Sequence, residues 1–496
     1  MFDFKGLIDA LMRRAREEED SGPSATRLLI DLPRDETLVV LTEIIKALAA
    51  LNRNAKVGLK ERYQAVQAFD DKARPLAQVL VRVFRSEEKI DSISPRQALP
   101  SLLACWKELA SAYKLCLKQH AQSPNKRFAQ DAELITLRSV SYYALQAKWA
   151  YLRYFDAEPR LWRSLNRLYQ IAEAAGFANK SMQAYPDAEA TSVSQIYRHA
   201  MLLKLAEPER RRIEEIWQVD RWLQHWQEKV TLEKIIRPRD QTYAINLDET
   251  RPPMKLRRNM VGERYRYLDT EPLADYLAEL ALNAGKGIFP VAIPVPAKAD
   301  QPAVASLLSD LALIYSRAGQ TRSRRSERRH KEHSTSAALG LNRIYQLLRA
   351  NGGARDWEEW TLADESANGM GAHYKAKFDD KLAVCEVLAL KDEDGVWLAV
   401  VRRLNKSREG LVKVGAERLG MQPTPVMLED NGQSLPALYC AESPHGRILL
   451  MGRDKHHKGG LYTLSSGSKR YQITLGAPIE TLPDYIISSF SVTAKG

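Results

Sequence analysis

The apolar residues of this chain change their repeat part-way along, and that change constrains the fold more than any other feature. From the start to about residue 235 they recur at three- and four-residue spacing, as one face of a helix requires. After residue 320 the repeat becomes two. Short β-rich runs there are separated by Asp-Gly, Asn-Gly, His-Gly and Gly-Gly, the punctuation of an antiparallel barrel or sandwich. A chain of 496 residues also exceeds what one hydrophobic core usually organises. The expected fold is therefore α+β and multidomain. It has an all-α helical bundle or hairpin array over 1–235, a mixed α/β connecting region over 236–320, an antiparallel β-barrel or sandwich over 321–430 and a β extension over 431–496.

Within the helical half, Tyr142, Leu145, Trp149 and Leu152 fall on one face. A further helix is expected to open at Glu207-Pro208, where proline suits a first turn, and to carry Ile213, Ile216, Trp217, Leu223 and Trp226 inward. In the connecting region, Tyr243 to Leu247 looks like a strand. Helices are expected over Pro272 to Leu282 and about Ala303 to Arg317, with a proline-rich stretch from Ile288 to Pro296 between them.

Several function classes drop out. No apolar run approaches the ~18–20 residues that span a bilayer, and the N-terminal residues lack the layout of a secretory signal, so the expected location is the cytoplasm. The cysteines Cys105, Cys116, Cys385 and Cys440 are far apart and form no CxxC, which argues against a zinc cage or a disulfide framework. His456-His457 has no third ligand at metal spacing and reads as a surface hairpin. No Walker loop, Gly-x-Ser-x-Gly elbow or HExxH is present, and no residue is nominated as nucleophile, general base, cofactor ligand or metal ligand. The formal net charge of +12 favours anionic partners.

Two motifs carry chemistry. The first is Arg324-Arg325-Ser326-Glu327-Arg328-Arg329 and the second is Asp364-Glu365-Ser366-Ala367-Asn368-Gly369. A guanidinium is a planar fork that pairs with phosphate oxygens or with the O6/N7 edge of guanine, and its face stacks on a base. An aspartate accepts from guanine ring nitrogens, a serine hydroxyl donates to phosphate, and a glycine lets backbone approach the ligand.

In these residues the sequence resembles the PilZ family, over roughly residues 321–430. Arg325-x-x-x-Arg329, preceded by Arg324, is similar to the family's RxxxR segment. Asp364-x-Ser366-x-x-Gly369 is similar to its (Asp/Asn)-x-Ser-x-x-Gly motif. The frame Arg324-x-x-x-Arg328 fits as well, and the gap between the motifs is longer than usual, with room for a loop at Asn351-Gly352-Gly353. The runs Val396 to Arg403 and Val412 to Leu419 look like later strands of such a domain. The resemblance implies a bacterial receptor for cyclic di-GMP rather than an enzyme. Its ligand set would be Arg324, Arg325, Arg328, Arg329, Asp364, Ser366 and Gly369, with Arg402 from the later run. The helical half would then convey the signal to a protein partner. Two rivals stand beside it: a basic RNA- or DNA-binding protein using the same arginines, and a structural adaptor whose barrel binds nothing small.

Overall fold

The computed structural model describes residues 37–87, 90, 93–124, 126–289, 300–320, 328–350, 356–376, 382–392, 395–430, 432–467 and 469–495. These form two compact units. One draws on the chain up to residue 150, on 157–206 and on 219–320; the other on 151–156, 207–218 and the chain after 320. The connecting region and the C-terminal β segment, adjacent in neither sequence nor composition, thus belong to different units.

The first unit begins with helices α1 (Thr37–Arg53), α2 (Leu59–Phe84) and α3 (Pro95–Gln122), which pack on one another. Proline opens α3 at a position whose N–H has no helical partner, and Ser94 and Gln97 close a reciprocal capping box before it. Helices α4 (Lys126–Tyr151) and α5 (Pro159–Ala174) follow, then a hairpin of β1 (Met182–Gln183) and β2 (Ala190–Thr191), then α6 (Val193–Leu205) with a second capping box from Ser192 and Gln195. Helix α7 spans Ile213–Trp226. It starts later than Glu207-Pro208 suggests, because Glu207 takes a left-handed φ of 54° and Arg211 is extended, leaving a separate 3-10 turn over Pro208–Arg210. An antiparallel sheet then orders β3 (Thr231–Glu233), β6 (Tyr265–Asp269), β4 (Tyr243–Asn246) and β5 (Met254–Lys255). Helices α8 (Glu271–Gly285) and α9 (Gln301–Tyr315) pack as a pair.

The second unit holds two closed six-stranded antiparallel barrels. The first comprises β7 (Arg329–Leu339), β8 (Glu358–Ser366), β9 (Gly369–Lys375), β10 (Val387–Asp392), β11 (Gly395–Lys406) and β12 (Leu411–Met421). The second comprises β13 (Thr424–Asp430), β14 (Gln433–Cys440), β15 (Ile448–Gly452), β16 (Leu461–Ser466), β17 (Lys469–Thr481) and β18 (Tyr485–Lys495). Around the first, the order is β7-β8-β9-β12-β11-β10 and back to β7; around the second it is β13-β14-β15-β18-β17-β16 and back to β13. The two orders are the same, strand for strand. Strand β13, grouped with the preceding residues when the sequence is read alone, pairs with β14 and β16.

The helix α10 (Leu341–Arg349) interrupts the β-rich region between the two motifs, where sequence alternation suggested none. Leu341, Ile344 and Tyr345 lie on its buried face. They join Ala338, Val387, Leu398, Leu438, Ile448 and Leu450 in one apolar cluster that draws on both barrels. The barrels therefore share a packed apolar core, and burial of several such side chains at ~1.5–3 kcal/mol each helps hold them together. Each barrel also has its own interior: Trp360 stacked on Tyr374 at 4.3 Å in the first, and Val426, Leu428, Leu449 and Ile473 in the second. Residues 151–156 belong to this unit through Tyr154, which is buried in the first barrel's core and whose carbonyl accepts from the Lys406 N–H at 2.7 Å.

Candidate ligand-binding site

The second motif forms the tip of the β8–β9 hairpin. Ser366 pairs with Gly369 across a two-residue turn, Ala367-Asn368, and the Ser366 hydroxyl donates to the Gly369 carbonyl at 3.2 Å. The neighbouring strand β12 holds this tip. The Arg418 N–H donates to the Asn368 carbonyl at 3.0 Å, and its guanidinium donates to the Ser366 carbonyl at 3.3 Å and to Glu365 Oε2 at 2.8 Å. The same guanidinium lies over the Trp397 ring, 4.1 Å from its centre, so stacking fixes its plane.

Asp364 pairs with Gly371, two residues beyond Gly369. A Cβ at Gly371 would stand 2.9 Å from both Asp364 carboxylate oxygens, so the glycine makes the space in which the carboxylate lies. Gly371 pairs in turn with Gly415 on β12, and Gly369 with Glu417. The result is a track across three strands with few side chains, on which a flat group can approach backbone.

Arg328 reaches this track. Its Nη1 donates to Asp364 Oδ1 at 2.8 Å, joining the two motifs, and the arginine remains more than half exposed. Arg329, the first residue of β7, is exposed and in register with Glu365. Arg324 and Arg325 lie outside the described residues. A bulge between His330 and His333 shifts the β7–β8 register, and Lys331 within it pairs with Glu365 at 3.0 Å. Burial raises the Glu365 carboxyl, but hydrogen bonds from Lys331 and Arg418 outweigh it and hold the group below the ordinary glutamate range.

Arg402 sits on β11 with Nε donating to Glu417 at 2.8 Å and both Nη atoms on Glu480 of the second barrel, at 2.6 and 2.7 Å. Burial disfavours its charge, yet the two carboxylates win and keep the guanidinium protonated. It thus ties the two barrels together beside the motif, one strand from Gly369 through Glu417.

Reading the sequence alone passed over Gly371, Arg418, Glu417 and Lys331. Gly371 carried a visible signal, since it sits two residues from Gly369 and so on the same face of a strand. Arg418 and Glu417 carried none, because only strand pairing brings β12 against the hairpin.

The first unit has two charged clusters of its own. The fully buried Asp70 carboxylate accepts from Tyr113 at 2.5 Å, from Tyr142 and from Tyr185 at 2.8 Å, with Arg138 alongside at 3.5 Å. Burial first, and the Asp70 charge next, hold the three hydroxyls protonated. Asp220 is likewise buried, but Lys148 and His199 outweigh burial and hold its carboxyl at about 2. Both clusters satisfy their buried charges internally, as a structural network does.

Among the described residues, no group of three or more His, Cys, Asp or Glu side chains could hold a metal ion, and no helix is long and apolar enough to cross a membrane. The four cysteines are free. Residues 23–239 match the family model described as the N-terminal domain of the cyclic-di-GMP receptor FimW. The match stops before the barrels. No curated protein and no solved structure matches the chain.

Proposed function

We propose that this chain is a bacterial, cytoplasmic cyclic di-GMP receptor whose first barrel is a PilZ-like domain and binds the messenger across the β8–β9 tip. The ion pair between Arg328 and Asp364 carries this reading, because it brings the arginine segment and the Asp-x-Ser-x-x-Gly tip to one place with complementary groups. The similarity of residues 23–239 to a domain of a cyclic-di-GMP receptor supports the same ligand independently, from a different part of the chain.

The chemistry follows from the groups present. Arginines of the segment 324–329 clasp the phosphates and the Hoogsteen edge of a guanine. Asp364, held beside Gly371, accepts from guanine ring nitrogens, and the Ser366 hydroxyl and the bare backbone at Gly369 take a phosphate. In the absence of ligand, Arg328 and Asp364 satisfy each other; ligand replaces that half-exposed pair, whose own worth is only ~0–1 kcal/mol. Binding that orders the arginine segment onto the barrel needs differential affinity of a few kcal/mol to act as a switch. The helical half then presents the output to a protein partner. Residues 151–156 offer a covalent route, since Tyr154 is packed in the first barrel and α4 ends at Tyr151.

Isothermal titration of the full chain with cyclic di-GMP tests this, beside an Arg325→Ala/Arg329→Ala variant. Saturable binding at micromolar or lower ligand that the variant loses is the expected outcome. Silence from a folded wild-type protein rejects the receptor reading. Binding of duplex DNA or RNA with a steep salt dependence would instead favour a nucleic-acid protein.

A further inference from the structure

The second barrel repeats the strand order of the first, and its β14–β15 connection repeats the motif in altered form. Asp364-Glu365-Ser366-Ala367-Asn368-Gly369 corresponds to Ala441-Glu442-Ser443-Pro444-His445-Gly446. The Ser443 hydroxyl donates to the Gly446 carbonyl at 2.6 Å, as Ser366 donates to Gly369. The second turn lacks the aspartate, and the residues leading into its barrel, Gly420 to Pro423, contain no arginine. Its own ligand set is therefore gone.

The two turns nevertheless face one space. A cleft of about 320 Å³ is lined by Asn368 of the first turn and by Pro444 and His445 of the second. Glu417, Arg418 and Glu480 stand in its lining, and Leu419, Ile448, Ile479 and Ile487 give it apolar walls. Glu417 is half exposed; Arg402 takes its Oε2, and its Oε1 has no hydrogen bond from a described residue. Glu417, which lines the cleft, is in register with Gly369 of the ligand track. Along β9 the distance from Gly371, beside Asp364, to Gly369 is two residues, or about 7 Å.

We infer that the degenerate second barrel forms a wall of the first barrel's site, and that one guanine base of the dinucleotide enters the cleft between the two Ser-x-x-Gly turns. The apolar walls suit the faces of a flat base. The open Oε1 of Glu417 accepts from the guanine N1–H, a donor at a ring position where adenine offers only an acceptor. Arg402, fixed between Glu417 and Glu480, is a positioning residue that orients the reader. This inference rests on the receptor reading and adds a guanine-selective subsite built partly from residues 441–480.

Titration of the full chain with cyclic di-GMP and with cyclic di-AMP, for the wild type, Glu417→Gln and His445→Trp, tests the subsite. Glu417→Gln is expected to weaken cyclic di-GMP roughly tenfold or more and to narrow the preference over cyclic di-AMP. His445→Trp, at an exposed position, is expected to fill the cleft and cause a similar loss, with an unchanged melting temperature in both variants showing that the fold is intact. Wild-type affinity in both variants overturns the subsite and leaves the receptor reading standing. A wild type that binds no cyclic di-GMP overturns both.

Discussion

The two barrels share a strand order and a Ser-x-x-Gly turn, yet among the described residues it is the first turn whose own motif side chains are ion-paired. In the first, Asp364, Glu365, Arg328, Lys331 and Arg418 converge within three strands. In the second, Ala441 stands where the aspartate would be, and the Ser443 hydroxyl holds the turn by donating to the Gly446 carbonyl and accepting from the His445 N–H. The barrel architecture is thus separable from the site it carries, since closure and packing depend on inward residues and the ligand groups point outward or sit at a turn.

The largest effects should come from breaking what the barrels share. Leu438→Ala opens the cluster common to both and should cost ~2–5 kcal/mol, with hydrogen exchange rising in both barrels together. Ile473→Ala, inside the second barrel alone, should cost a similar ~2–5 kcal/mol while leaving the slow-exchanging amides of β8 and β9 protected. Equal losses of protection everywhere in the second case would show that the barrels unfold as one body.

Next comes erasing the difference between the turns. Asp364→Ala gives the first turn the alanine that the second has at this position and should weaken cyclic di-GMP about tenfold to a hundredfold by calorimetry, as loss of a charged hydrogen-bonding partner does. Gly371→Ala leaves every ligand group in place but drives a methyl into the Asp364 carboxylate, so a smaller loss, about three- to tenfold, is expected with the fold intact. An unchanged affinity would show that the carboxylate position is not set by the glycine.

Acid offers a subtler contrast. Because the folded Glu365 carboxyl lies below its unfolded value, its contribution is fully present above the ordinary glutamate range near ~4.3 and is lost as pH falls through the lower folded value. Melting temperatures of the wild type and Glu365→Gln should therefore differ at neutral pH and converge on acidification. Smallest of all is Ser443→Ala, which removes the two hydrogen bonds its hydroxyl makes within an exposed turn and should lower stability by only ~0.5–1.5 kcal/mol, read from the melting temperature.

Much of this was legible in the residues. The helical and β-rich halves follow from the change of apolar period, and helices α8 and α9 and strand β4 fall where their stripes and turn residues place them. The Asp364–Gly369 tip is legible because Asp, Ser, Asn and Gly are the residue types a tight turn favours. Helix α10 was overlooked although Leu341, Ile344, Tyr345 and Leu348 have helical spacing, since it is short and surrounded by strands. The repeat of Glu-Ser-x-x-Gly in the second barrel is also written in the chain, but three matching residues mean little until the strand orders coincide.

By itself, then, the sequence determined the local conformations, the two motifs and their chemistry, because periodicity and turn residues act over a few positions. Only the tertiary structure decided that β13 belongs to the second barrel, that Arg418 and Glu417 stand against the motif, and that Arg402 bridges to Glu480. These depend on which strands pair across long stretches of chain. Such pairing is selected by the closure of each barrel and the burial of its interior as a whole, which no short window of residues encodes.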